Sequence, residues 1–121
     1  MERFFFTAGT IAAFVAVALG AFGAHSLKTR LSAEMLNIFE VGVRYQMYHA
    51  LGLIAVSWAT TRWPENNLKG AGWAFIVGII IFSGSLYLLS LTGMRWLGAI
   101  TPIGGIAFLI GWAILVWSIG R

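Results

Sequence analysis

The sequence predicts an all-α fold: an integral membrane bundle of four transmembrane helices, with an amphipathic surface helix between the first and second spans. Three observations carry this. Hydrophobic residues make up 60% of the 121 positions and charged residues only 10%, against about 25% charged in a soluble domain, so too little polar surface exists to cover the chain in water. Three runs hold no Asp, Glu, Lys or Arg and exceed the roughly 20 residues that a helix needs to cross a bilayer. The segments joining the runs are short, polar and turn-rich, which makes residues 1–121 a single domain.

Taken in order, the charge-free runs are Phe4–Ala24, Ala71–Leu91 and Trp96–Ser118. The fourth span, Tyr45–Thr61, is less apolar, since it includes Gln46 and His49 and is short at 17 residues. Counting it as a crossing keeps the hairpins connected and keeps Leu51–Trp58 out of water. The first run has Arg3 before it and a small-x-small pattern at Ala16–Ala18, so it could pass for a secretory signal; it is read as a retained span.

Residues 26–44 differ in character. On a helical projection Arg30, Glu34, Asn37, Glu40 and Arg44 fall within an arc of about 120°, with Leu31, Met35, Ile38, Phe39 and Val43 on the rest. Ser32 is the expected N-cap and Glu34 a favourable first-turn anion. The pattern reads as a helix lying on the membrane surface, either bent from the second span or running straight into it.

The remaining links are Trp63–Lys69, with Pro64, Asn66 and Asn67, and a tight Thr92–Arg95 turn containing Gly93. Four spans put Arg3, Arg62, Lys69 and Arg121 on one side and Lys28, Arg30, Arg44 and Arg95 on the other. The positive-inside rule needs an imbalance. Discounting Arg44 as interfacial tips the count toward termini in the cytoplasm. Trp58, Trp63, Trp73 and Trp117 gather on the termini side as an aromatic belt.

Helices in lipid associate through close packing, which small residues permit. Ala8, Ala12, Ala16, Gly20 and Ala24 recur every four residues along the first span, Gly70, Ala74 and Gly78 repeat the pattern in the third, and Gly98, Gly104, Gly105 and Gly111 stud the fourth. These positions are expected to pack the bundle, with assembly between copies as the rival use.

Alternating spans bring His25, Arg44, Tyr45, Gln46, Tyr48, His49, Tyr87, Ser90, Thr92, Arg95 and Thr101 toward one face of the membrane. Three readings compete. The polar groups are hydrogen-bonding glue between helices, with the basic residues snorkelling to phosphates; or they line a pocket for an amphiphile with an anionic head group; or His25 and His49 carry protons or bind a metal.

The last reading has little to build on. The acids Glu2, Glu34, Glu40 and Glu65 all fall at predicted interfaces, two histidines do not complete a zinc site, and there is no cysteine. No phosphate-binding glycine loop or nucleophile elbow is present. Scattered single cations exclude an ordinary nucleic-acid binder. No catalytic residue, metal site or cofactor is assigned.

Four blocks carry a resemblance: GAFGAH at Gly20–His25, FEVGVRYQMYHALGL at Phe39–Leu53, FSGSLYLLSLTG at Phe82–Gly93 and ITPIGGIAFLIGW at Ile100–Trp112. Together they resemble the YgdD and YwdK-like family of small inner-membrane proteins, domain of unknown function 423. The resemblance covers nearly the whole chain. It implies a multi-pass protein of the bacterial inner membrane, with mitochondrial relatives, and brings no activity, substrate or cofactor with it. The positions it transfers are His25, Arg44, Tyr45, Gln46, His49, Ser83, Gly84, Ser85, Thr101, Pro102 and Gly104.

The function expected is therefore non-enzymatic: binding of a lipid-like or small amphiphilic ligand in one leaflet, or service as an accessory subunit of a membrane complex. A small oligomeric channel or transporter is the alternative. The expected ligand-binding residues are His25, Arg44, Tyr45, Gln46, His49, Tyr87, Arg95 and Thr101. Membrane lipids are the expected partners, with a homo-oligomer or larger complex left open.

Overall fold

Backbone amides and carbonyls without water must bond within their own segment, and every long apolar run of this chain is helical. The computed structural model describes residues 1–120. Among them the helices are α1 (Glu2–His25), α2 (Ala33–Arg62), α3 (Lys69–Gly78), α4 (Gly84–Thr92) and α5 (Thr101–Gly120). A π-helical turn, Ile79–Ser83, fuses α3 and α4 into one rod, and 3-10 turns occupy Leu27–Thr29 and Arg95–Ala99. The structure is all-α, with no strand among the described residues.

Three helical stretches are long and apolar enough to cross a membrane: Glu2–His25, Lys69–Thr92 and Arg95–Gly120. Each contains one of the charge-free runs. The second helix is longer, at 30 residues, yet is not among them, because Glu34, Glu40, Arg44, Gln46 and His49 dilute its apolar character.

Of the two placements expected for residues 26–44, the segment runs straight into the second span and is not a separate surface helix. Its first part turns through Leu27–Thr29, and from Ala33 onward it is the opening of the uninterrupted α2. Packing is the reason. Phe39 is buried, with its ring over Gly23 of α1 and 5.2 Å from the Tyr87 ring of α4, so this stretch continues the bundle. Its polar stripe faces outward, and Arg95 donates to Glu34 at 2.7 Å. That hydrogen bond, with the guanidinium charge behind it, holds the Glu34 carboxyl below the usual carboxylate range.

The helix ends follow local chemistry. Ser32 caps α2 by accepting from the Met35 amide at 3.1 Å. Gly93 ends α4 at φ +75°, in the left-handed region that glycine enters without steric cost. Asn66 in the link after α2 donates to the Ser118 carbonyl at 2.8 Å, fastening that link to the end of α5.

In space α1 lies chiefly against α2, and the α3–α4 rod lies between α2 and α5. The outer faces of α1 and α5 carry exposed Ile11, Phe14, Val17, Ile103, Leu109 and Val116, as surfaces in lipid should. The small-residue face of α1 is rotated from the expected one. Gly9, Ala16 and Gly23 are buried, whereas Ala8, Ala12 and Gly20 are half-buried and Ala24 is exposed. A four-residue step advances about 40° around a helix, but a seven-residue step drifts only about 20°, so the heptad stays against an antiparallel neighbour.

What fills the glycine notches is aromatic. Phe5 sits on Gly72, Phe75 on Gly52 and Gly111, Phe108 on Gly78, and Tyr87 on Gly42. Phe5 and Phe75 reach zero exposure and belong to the main core with Leu53, Val56, Leu68 and Phe108. In lipid the gain comes from dispersion contacts between rings and backbone, since no water is expelled.

Candidate functional site

The polar face of α2 makes most of the bonds between helices. Ser83, placed by the π-helical turn, donates to the Gly42 carbonyl at 2.6 Å. One turn on, Gln46 donates to the Ala12 carbonyl of α1 at 2.8 Å and accepts from the Tyr87 hydroxyl at 2.6 Å, so a single amide ties three helices. Ser57 donates to the Glu2 carbonyl at 2.7 Å. Between α4 and α5, the Ser85 and Thr101 hydroxyls lie 2.6 Å apart. No buried side-chain polar atom among the described residues lacks a partner.

His49 stands a turn beyond Gln46 and enters an aromatic nest. Its ring lies face to face with Phe108, centroids 3.5 Å apart and planes within 5°, and meets the edge of Phe75 at 5.3 Å. The Trp112 indole N–H donates to Nε2 at 3.0 Å, and Nδ1 is 2.7 Å from the Tyr45 carbonyl. An indole only donates and a carbonyl only accepts. His49 is therefore the Nδ1–H tautomer, with both nitrogens engaged. That leaves it no lone pair for a metal, and no group of three or more His, Cys, Asp or Glu clusters among the described residues.

Beside His49 lies a crevice of about 430 Å³ between α2 and α5. From α2 come Tyr45, Tyr48 and His49; from α5, Gly105, Phe108, Leu109 and Trp112; Phe82 of the π-helical turn completes the lining. The walls are almost wholly apolar and aromatic. The polar groups among its rings include the His49 imidazole and the Trp112 indole N–H, which bond each other.

The eight residues expected to bind a ligand do not form one pocket. Tyr45 and His49 line the crevice. Gln46 and Tyr87 bond each other behind it, and Thr101 bonds Ser85. Arg95 is engaged with Glu34 at the surface. Arg44 is exposed beside Tyr45, and His25 is exposed at the end of α1. Because Gly20 faces Val43 and Gly9 faces Leu53, His49 lies level with about residue 13 of α1. His25 is therefore roughly 18 Å away along the axis, at about 1.5 Å per residue. The expected crowding of both histidines at one membrane face is corrected accordingly: His49 is at mid-depth, since the antiparallel register with α1 sets its level.

Sequence reasoning missed the α5 wall. Gly105, Phe108, Leu109 and Trp112 stand at i, i+3, i+4 and i+7, the spacing of one helical face. Nothing in that spacing says which helix the face meets.

With this geometry in view, the relatives are informative. A UPF0382 membrane protein of Staphylococcus saprophyticus is 47% identical over 114 residues, covering 94% of each chain. The UPF0382 membrane protein YwdK of Bacillus subtilis is 46% identical over 115 residues, again covering 94% of each chain, and one from Staphylococcus haemolyticus is 45% identical over 116 residues, 96% of this chain and 94% of the other. No solved structure matches. Residues 19–105 match the family described as "Protein of unknown function (DUF423)". A match over most of the chain, relatives named as membrane proteins and three helices able to cross a bilayer agree: the chain is a multi-pass membrane protein and belongs to the DUF423 family.

Proposed function

We propose that the protein is a non-enzymatic, lipid-facing receptor that takes the apolar part of a membrane amphiphile into the crevice between α2 and α5. The observation behind this reading is the crevice itself. Exposed Tyr48 and Leu109 stand among its lining residues, at about 430 Å³ it falls within the roughly 300–1,000 Å³ of small-molecule sites, and it is walled by rings. The polar side chains that could have lined an ion path are committed to bonds between helices at Gln46, Ser57, Ser83, Tyr87 and Thr101, which favours the amphiphile over the channel. Arg44, beside Tyr45, is the cation nearest in sequence to the crevice-lining residues of α2.

The test fills the crevice. A Cβ added at Gly105 would lie 3.9 Å from the Phe82 ring, its nearest neighbour, so Gly105→Leu extends into open space without striking backbone. Native mass spectrometry of the gently solubilised protein is expected to show a retained lipid on the wild type and its loss in Gly105→Leu. Identical retention in both proteins overturns the assignment.

The reading also takes α2 as a fourth crossing, because α1 ends on the side of Arg95 and α3 begins on the side of Met1. The chain has no cysteine, so single substitutions report cleanly. Thr29→Cys and Glu65→Cys are expected to react with an impermeant maleimide from opposite sides of sealed vesicles; labelling from the same side rules out the fourth crossing.

A further inference from the structure

We propose, resting on the crevice reading above, that the amphiphile is an anionic phospholipid. Its tail lies in the crevice, and its head-group phosphate stays outside on Arg44, one turn from Tyr48 toward the start of α2. The first support is depth. Gly20 of α1 faces Val43, Gly23 faces Phe39 and Gly9 faces Leu53, so in this antiparallel register Arg44 is level with about residue 18 or 19 of α1. That is roughly 8 Å inside the end of the charge-free run Phe4–Ala24, at about 1.5 Å per residue. The other Lys and Arg residues described stand at helix ends or in links: Arg3, Lys28, Arg30, Arg62, Lys69 and Arg95. Only Arg44 is set back into the bundle.

The second support is charge. Arg44 is exposed, and the ion pair formed among the described residues joins Arg95 to Glu34 instead. Glu40, one turn nearer the start of α2, is also exposed and does not come within ion-pairing distance of Arg44. Side chains lean toward the N-terminus of their helix, which for α2 is the outward direction. A long Arg can lay its stem along apolar surface and hold its head toward the phosphates. A guanidinium at this depth requires an anion or water, and a phosphodiester offers oxygens spaced for two parallel N–H···O bonds.

The third support is alignment with the crevice. Arg44 and Tyr48 are four residues apart and so neighbours on one face of α2. Tyr48 lines the crevice at 52% exposure, and Leu109 of α5 is exposed in the same lining. A chain hanging from a phosphate at Arg44 meets Tyr48 about 6 Å deeper and continues among the rings. On α5 the lining runs from Gly105 to Trp112, roughly 10 Å of depth, and it holds no Asp, Glu, Lys or Arg. The protein is divided as the lipid is, with charge above and hydrocarbon below.

In the experiment the full chain is equilibrated with an equimolar mixture of palmitoyl-oleoyl phosphatidylglycerol and phosphatidylcholine, which share their tails. Native mass spectrometry reads the lipid retained. The wild type is expected to keep phosphatidylglycerol about fivefold over phosphatidylcholine, the weight of one cation beside an anionic lipid. Arg44→Gln should bring the ratio to parity, and the bundle should survive the change because Arg44 is exposed and unpaired among the described residues. Arg30→Gln, in the exposed link, should leave the ratio unchanged. Parity in the wild type, an unchanged ratio in Arg44→Gln, or an equal fall in both variants overturns the inference. So does displacement of phosphatidylglycerol by inorganic phosphate at an ionic strength where sodium chloride leaves it bound, since Arg44 would then hold the free anion. Under any of these results, loss of both lipids in Gly105→Leu leaves the crevice reading standing. Retention of both lipids in Gly105→Leu removes the crevice reading and this inference with it.

Discussion

Phe75→Ala is expected to lower the stability of the bundle by about 2–3 kcal/mol, less than the roughly 3–5 kcal/mol of the same change in a water-soluble core. Phe75 has no exposed surface, seats its ring against Gly52 and Gly111, and touches His49 and the Trp112 ring at 5.3 Å and 4.7 Å. Removing it opens a void where three helices meet. The void costs lost dispersion contacts on every wall. The part of the usual penalty that comes from transfer out of water is missing, because the unfolded reference helices are also in lipid. Steric trapping or detergent-titrated unfolding measures the difference; a loss under about 1 kcal/mol would mean that the neighbouring rings collapse into the space.

Gly104→Ala is expected to destabilise by about 3 kcal/mol, at the upper end of the roughly 1–3 kcal/mol of overpacking. The added methyl would lie 2.7 Å and 2.8 Å from Cβ and Cα of Phe82. Most of what it meets is backbone, which no rotamer change can move aside, so α5 must separate from the π-helical turn. The next residue supplies the control. Gly105→Ala meets nothing nearer than 3.9 Å, and it should be neutral or slightly stabilising as a helix former replaces glycine. Thermal unfolding of the two variants side by side checks the contrast, and equal midpoints would remove Gly104 as a point of backbone contact.

The contrast between these adjacent glycines shows where sequence reasoning stops. Both belong to the same apolar span and look alike in any periodicity, yet one marks a backbone contact and its neighbour the edge of a crevice. Tyr45 and His49 were recognisable as a polar pair on one face of α2, and the structure places both in the crevice lining. Gln46 and Thr101 were equally recognisable as polar residues in an apolar setting, but they make bonds between helices. Residue type announces that a polar group in lipid needs a partner; it does not say whether the partner is another helix or a ligand. His25 was grouped with His49 because both lie near span ends in the sequence. The continuous α2 carries His49 to mid-depth, and the two are apart.

Composition and charge spacing by themselves determined that the chain is helical and crosses a membrane several times, because a bilayer demands long uncharged runs with internally bonded backbone, and those runs are visible in one dimension. The blocks around Arg44–His49 and Thr101–Gly105 likewise carried the family. Tertiary structure decided that residues 33–44 stand within the bundle, that α1 packs by its heptad of Gly9, Ala16 and Gly23, and that the Gly105–Trp112 face meets Tyr45 and His49 across an open slot. On α1, α3, α4 and α5 the lipid-facing and the packed faces are both largely apolar, so hydrophobicity gives them no direction for inward. Only the fit of particular rings into particular glycine notches chooses which faces meet, and that fit exists in three dimensions alone.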